Sequence, residues 1–167
     1  VVALGEKGEV CIRGPQVMPC YWQNETATNE TFVDGWLRTG DVGYQDEDGY
    51  TFLVDRLKDV ILCSGYNVYP RAIEEALYLH DKVAEVTCIG IPDQYRGQAP
   101  KAFVRLKDGV TDVTAEDLRA FLDDKISRIE MPREIEIREE LPKTMVGKLS
   151  KKELVEEERQ KREGNTV

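Results

Sequence analysis

Lys148 follows Gly147 in the run Leu141-Pro142-Lys143-Thr144-Met145-Val146-Gly147-Lys148, just ahead of the charged stretch Ser150-Lys151-Lys152-Glu153-Leu154. Glycine tolerates backbone angles that other residues resist, so the chain can turn at Gly147 and present the lysine at a loop tip. An ammonium on a flexible stem suits phosphate or carboxylate oxygens whose charge changes during a reaction. The run equally fits a solvated lysine before a helix, because loops lie mostly at the surface. Thr39-Gly40-Asp41 places a carboxylate after a glycine at the end of an aromatic-rich segment. Its two oxygens can accept from a vicinal diol such as ribose, or the Asp caps its own turn. Arg56, inside Asp55-Arg56-Leu57-Lys58-Asp59, can fork hydrogen bonds to ribose or phosphate oxygens, or sit in a solvated connector with weak ion pairs. In Ser64-Gly65-Tyr66-Asn67 the glycine either lets a ligand chain pass close to the backbone or simply ends a strand. Pro92-Asp93-Gln94-Tyr95-Arg96-Gly97 is either a plain turn or a loop that offers Arg96 to a phosphate.

Other chemistries are disfavoured. His80 is the one histidine; it closes an amphipathic segment, where a cation suits the helix dipole, and no nucleophile pattern surrounds it. Cys11, Cys20, Cys63 and Cys88 form no C-x-x-C pair and have no histidine at finger spacing, which argues against zinc. Cys63 and Cys88 lie in apolar runs and read as small buried hydrophobes, and the pattern suggests a reducing, cytoplasmic setting. There is neither a G-x-x-x-x-G-K nor a G-x-G-x-x-G loop, so any triphosphate grip lies outside this sequence. The net charge of −9 argues against nucleic acid or anionic membranes as general partners. No apolar run is long enough to cross a bilayer. The sequence starts without Met and close to a strand pattern, which reads as a piece of a longer polypeptide.

The elements that must position these groups follow from periodicity and turn chemistry. The 167 residues, 41% hydrophobic, suffice for one domain or a small domain plus part of another. Residues 8–13 alternate as a strand, and residues 23–32 form a short helix or loop. Asp34-Gly35 marks a turn. Two apolar runs, 42–44 and 50–54, flank Asp46-Glu47-Asp48-Gly49 as a hairpin. Residues 59–63 are short and β-branched, a strand. Residues 70–80 have helical spacing behind an opening proline. Residues 83–91 and 100–106 read as strands, 114–126 as a helix capped by Thr114, 133–138 as a strand, and the tail from Ser150 as a charged helix. Hairpins give way to alternating strands and helices near Lys58. We therefore expect α+β architecture, with a β-rich segment over 1–57 and a domain with a central sheet and packed helices over 58–167.

Taken in order, Gly35-Trp36-Leu37-Arg38-Thr39-Gly40-Asp41, Asp48-Gly49-Tyr50, Asp55-Arg56-Leu57-Lys58-Asp59-Val60-Ile61, Ser64-Gly65-Tyr66-Asn67-Val68-Tyr69-Pro70 and the run ending at Lys148 resemble the C-terminal part of the adenylate-forming acyl-CoA synthetases. The resemblance covers nearly the whole sequence, and the 65–70 run is most like the medium- or long-chain fatty acid ligases. Two positions depart from the pattern: Asp55 stands where many members have Gly, and Cys20 where Gly before Tyr-Trp is common.

The resemblance implies a two-step ligase: carboxylate and ATP give an acyl-adenylate and pyrophosphate, and CoA then takes the acyl group as AMP leaves. It implies that residues 1–57 end a large N-terminal AMP-binding domain and that 58–167 form a mobile lid. In that scheme Lys148 is catalytic, Asp41 and Arg56 hold the ATP or AMP ribose, and Lys58 is the hinge. Ser64 and Gly65 line the CoA path, and Arg96 meets a CoA phosphate. The magnesium ligand and the fatty acid pocket are expected in the N-terminal domain, without which the segment is inactive. The alternatives are a related enzyme that passes the acyl group to a carrier-protein thiol, and a non-catalytic regulatory or interaction module with the same fold.

Overall fold

The computed structural model describes residues 1–164. The architecture is α+β, and the chain forms two compact units, Val1–Lys58 and Asp59–Val167.

The first unit is built on one long strand. β1 (Gly8–Ile12), β2 (Phe32–Val33) and β4 (Thr51–Arg56) each pair antiparallel with β3 (Trp36–Gln45). The segment 23–32 resolves as a helix, α1 (Glu25–Thr31), because the Asn24 side chain accepts the Ala27 N–H at 3.0 Å and caps it. The 46–49 turn closes on Asp46, whose carboxylate accepts the backbone N–H of Asp48 and Tyr50. Tyr44 and Phe52 stack across the hairpin at 5.2 Å. The interior of this unit is thin. Val42 is its one buried hydrophobic side chain among the described residues, while Trp22, Tyr50 and Leu53 stand exposed.

The second unit holds a mixed sheet in the order β6-β5-β8-β7, with β9 beside β8. Its spine is the hairpin of β7 (Val83–Asp93) and β8 (Gly97–Leu106), paired from Val83↔Leu106 to Asp93↔Gly97. β5 (Ile61–Cys63) and β6 (Tyr66–Val68) form a second, tight hairpin, and β9 (Glu134–Ile137) runs parallel to β8. Sequence periodicity missed β6, whose three residues are too few to show a period.

Strand alternation sends side chains to opposite faces, and each face has its own cover. On one face Val86, Cys88, Ala102 and Val104 join Ile73 and Leu77 of α2 (Pro70–Tyr78) and Leu118 and Leu122 of α3 (Ala115–Leu122). Thr114 and Asp117 form a complete capping box at the start of α3. This helix stops at Leu122, short of the expected 126. On the other face Ile89, Ile91 and Phe103 meet Leu141 and Leu154, the latter on α4 (Lys151–Gly164).

Charge also fastens α4. Lys101 on β8 is 3% exposed, with Nζ 2.9 Å from Glu134, 2.8 Å from Glu136 and 3.0 Å from Glu158 of α4. Burial opposes its charge, but the three carboxylates outweigh that and hold its pKa above the usual lysine value. Burial likewise works against Glu136, yet Lys101 and Arg138 together bring its carboxyl down to about 2. Arg138 bridges Glu136 and Glu157, and Lys161 adds a further cation beside Glu136 and Glu158.

The outer edge of β7 is covered by α2. Tyr78 Oη accepts the Val86 N–H at 3.2 Å, and Glu74 Oε1 accepts the Cys88 N–H at 2.8 Å.

Candidate active site

Asp41 and Arg56 are opposite one another in the β3–β4 ladder, and their side chains touch: Arg56 Nε lies 2.8 Å from Asp41 Oδ1. The pairing follows from the 46–49 turn, with one bulge beside Val42 and Gly43 setting the register. Gly40 takes φ +72°, left-handed backbone that a side chain resists, and this aims Asp41. Its neighbours are tied down as well. Thr39 Oγ1 donates to the Val10 carbonyl at 2.7 Å and accepts the Asp41 N–H at 3.1 Å, and Glu9 takes both the Gly40 N–H and Arg38. Asp55, the departure from the resembled pattern, accepts the Arg56 N–H at 2.7 Å and so fixes the backbone at the arginine. A carboxylate beside a guanidinium suits a vicinal diol, since hydroxyls donate to the first and accept from the second.

Lys58 is exposed within a single 3₁₀ turn, η1 (Leu57–Asp59), where the chain leaves the first unit for the second.

Ser64 and Gly65 are the two-residue loop between β5 and β6, with φ +52° and +81°. Positive φ at both positions is the arrangement that matches the twist of a two-stranded hairpin. Ser64 tolerates it, and Gly65 adopts it freely. The structure brings Arg96 to this turn: the Ser64 N–H donates to the Arg96 carbonyl at 2.8 Å, and Cys63 pairs with Gly97. Arg96 is itself held by Asp93, whose carboxylate accepts the backbone N–H of Tyr95 and Arg96, each at 2.9 Å. Those two donors, with Arg133 alongside, keep the Asp93 carboxyl below its ordinary range. Ser64, Gly65, Arg96, Tyr66 and Tyr95 are all exposed here.

Lys148 stands on a third feature, a small hairpin over 143–149. Lys143 and Leu149 pair across it, Thr144 N–H donates to the Lys148 carbonyl at 2.7 Å, and Gly147 N–H donates to the Thr144 carbonyl at 2.8 Å. Gly147 has φ +80°, the left-handed position of a three-residue hairpin loop. Lys148 is exposed, as are Met145 and Val146 at the tip. The root is anchored: Lys143 Nζ lies 2.6 Å from Glu85, which also receives Arg105, and the two cations hold the Glu85 carboxyl below its ordinary range. Glu85 and Asp93 sit towards opposite ends of β7, roughly 26 Å apart at strand rise. The root of the Lys148 hairpin and the Ser64–Arg96 cluster thus belong to opposite ends of the second unit's longest hairpin.

His80 takes no part in these clusters. Its Nδ1 accepts the Lys82 N–H at 3.2 Å and its ring meets Phe121 edge-on. Cys63 and Cys88 are buried and unbridged. Among the described residues no group of three His, Cys, Asp or Glu could hold a metal ion, and no helix is long and apolar enough to cross a membrane.

Residues 72–148 match the AMP-binding enzyme C-terminal domain. The long-chain-fatty-acid–CoA ligase of Bacillus subtilis strain 168 is 48% identical over 153 residues, 92% of this chain and 27% of that protein. The o-succinylbenzoate CoA synthetase of Bacillus subtilis, solved with an acyl-adenylate intermediate, superposes with a TM-score of 0.84 at 33% identity over 92% of this chain and 31% of that one. An amide bond synthetase from Marinactinospora thermotolerans superposes equally well, at 0.84 and 39% identity, over 93% of this chain and 32% of its own. The chain spans between a quarter and a third of the length of these proteins.

Proposed function

We propose that this chain is the closing part of an ATP-dependent fatty acyl-CoA ligase, with residues 58–167 as a lid that alternates between two half-reactions. The observation that carries the reading is the exposed Lys148 hairpin rooted near one end of β7, with the Ser64–Arg96 cluster at the other. In the first half-reaction Lys148 bridges the substrate carboxylate and the α-phosphate of ATP. Its charge offsets the repulsion between two anions and holds them in line as the carboxylate oxygen bonds to phosphorus and pyrophosphate departs. In the second, the lid turns about Lys58 and offers the other cluster. Ser64 and Gly65 line the pantetheine path, and Arg96 meets a CoA phosphate while the thiol sulfur bonds to the acyl carbon and AMP leaves. Asp41 and Arg56 hold the ribose through both steps.

The exposed aromatic and aliphatic side chains of the first unit, Trp22, Tyr50 and Leu53 among them, support reading residues 1–57 as the end of a larger AMP-binding domain, which would cover them. Magnesium would shield the triphosphate; the described residues do not form a site for it, and its ligand is assigned to that larger domain. The likeness to an amide bond synthetase keeps a second acceptor in view, with an amine or a carrier-protein thiol replacing CoA.

Two measurements test the proposal. This chain, mixed with fatty acid, ATP, magnesium and CoA, is expected to release no AMP, and turnover by the chain alone would overturn the division of labour. In the full-length enzyme Lys148→Ala is expected to slow adenylation by about a hundredfold or more while sparing acyl transfer from pre-made adenylate. Equal loss of both steps would refute the role given to Lys148.

A further inference from the structure

The proposed role of Lys148 demands that its ammonium leave the lid, and its own loop does not guarantee this. A hairpin of seven residues can roll about its long axis and turn either face outward. Alternation decides the matter once one face is pinned. Lys143 and Leu149 are cross-strand partners, so their side chains share a face. Lys148 precedes Leu149 and therefore projects from the opposite face. Leu149 packs against the cluster of Ile89, Ile91, Phe103, Leu141 and Leu154. Lys143 reaches Glu85 on β7 at 2.6 Å. Both residues of the inward face are thus held by the sheet, one by apolar contact and one by charge.

The charge contact is the more specific of the two. Glu85 is 21% exposed and is aimed by Arg105, whose Nε lies 3.1 Å from its second oxygen. Beyond the hairpin, Lys151 meets Glu74 at 2.8 Å, and the same Glu74 oxygen accepts the Cys88 N–H. Both flanks of the Lys148 segment are therefore tied by lysines to carboxylates at β7. The Lys143 tie lies inside the hairpin, whereas the Lys151 tie fixes the start of α4.

We propose that Glu85 is a positioning residue for Lys148: by holding Lys143 it fixes which face of the 143–149 hairpin turns away from the lid. The inference rests on the reading of Lys148 as the adenylation lysine, but its structural half stands apart from it. Glu85 touches no substrate in this scheme and acts through Lys143.

The test begins with hydrogen exchange on this chain, comparing the parent with Lys143→Met and Lys143→Arg. Methionine keeps the stem and removes the charge; arginine keeps a cation that can still reach Glu85. Exchange at Thr144 and Gly147 is expected to quicken about three- to fivefold in Lys143→Met, to return to the parent rate in Lys143→Arg, and to stay unchanged along the β7–β8 ladder. Unchanged exchange at Thr144 and Gly147 in both Lys143→Met and Glu85→Gln would overturn the strap. Equal quickening along the ladder would overturn it too, by showing a general loss of stability. In the full-length enzyme Lys143→Met is then expected to lower the adenylation rate about three- to fivefold and to leave transfer from pre-made adenylate alone. A loosened hairpin with adenylation intact would refute the role given to Lys148 and leave the strap standing.

Discussion

Replacing Lys101 with methionine removes the cation on which three carboxylates converge while keeping most of the side chain's bulk. Glu134 is 53% exposed, so water takes over most of its solvation. Glu136 is 27% exposed and keeps Arg138 at 2.7 Å and Lys161 at 3.4 Å. Glu158 is 11% exposed and keeps Lys161 at 2.8 Å. No carboxylate is stranded, so the loss belongs at the bottom of the range for breaking a buried pair, about 3 kcal/mol. With a urea slope of about 2 kcal/mol/M, the midpoint of the second unit falls by about 1.5 M. Urea titration at neutral pH, followed by far-UV circular dichroism, reads this directly. A loss under about 1 kcal/mol would refute the reasoning, because it would mean that desolvating Lys101 cancels what the carboxylates give back. Acid supplies a second reading. The Glu136 carboxyl titrates at about 2 in the folded protein against 4.5 ordinarily, so its contribution is complete above about 4.5 and disappears as pH falls towards 2. Glu158 is lowered too and acts in the same direction. In Lys101→Met the loss of stability over that interval should be shallower than in the parent.

Two further outcomes follow from backbone geometry. Gly65 has φ +81°, and a methyl group there would meet nothing within 4 Å, so Gly65→Ala should cost about 1–2 kcal/mol through conformation alone; a neutral result in urea unfolding would show that the turn relaxes out of the left-handed region. Lys58→Pro fixes φ in the 3₁₀ turn between the units. In the full-length enzyme it should slow one half-reaction far more than the other in single-turnover assays, and unchanged rates in both would rule out a hinge at this position.

Local chemistry made much of the fold legible. The opening proline and apolar spacing of α2, the Thr114 cap of α3 and the turn at Asp46 each depend on residues a few positions apart, and each formed where that chemistry points. The Lys148 loop was readable for the same reason, since Gly147 and its lysine are neighbours. What the sequence concealed lies between distant residues. Asp41 and Arg56 stood out separately, and only the hairpin register, bulge included, makes them partners. Arg96 reaches Ser64 because β5 lies beside β8, an adjacency that no local period encodes. Lys101 fell inside the 100–106 strand, with nothing local to mark it as buried. It is buried because α4 returns to cover that face, bringing Glu158 from 57 positions away. Glu85 gave no signal at all, since its importance comes entirely from the loop that lands on it.

The way α2 closes the flank of β7 bears on how the domain behaves in company. A bare sheet border is a template on which another copy can lay a strand and begin a fibril. Here Val86 and Cys88 have already given their outward amide hydrogens to Tyr78 and Glu74, and Pro92 has none to give. The second unit therefore carries a built-in guard against polymerising along that margin.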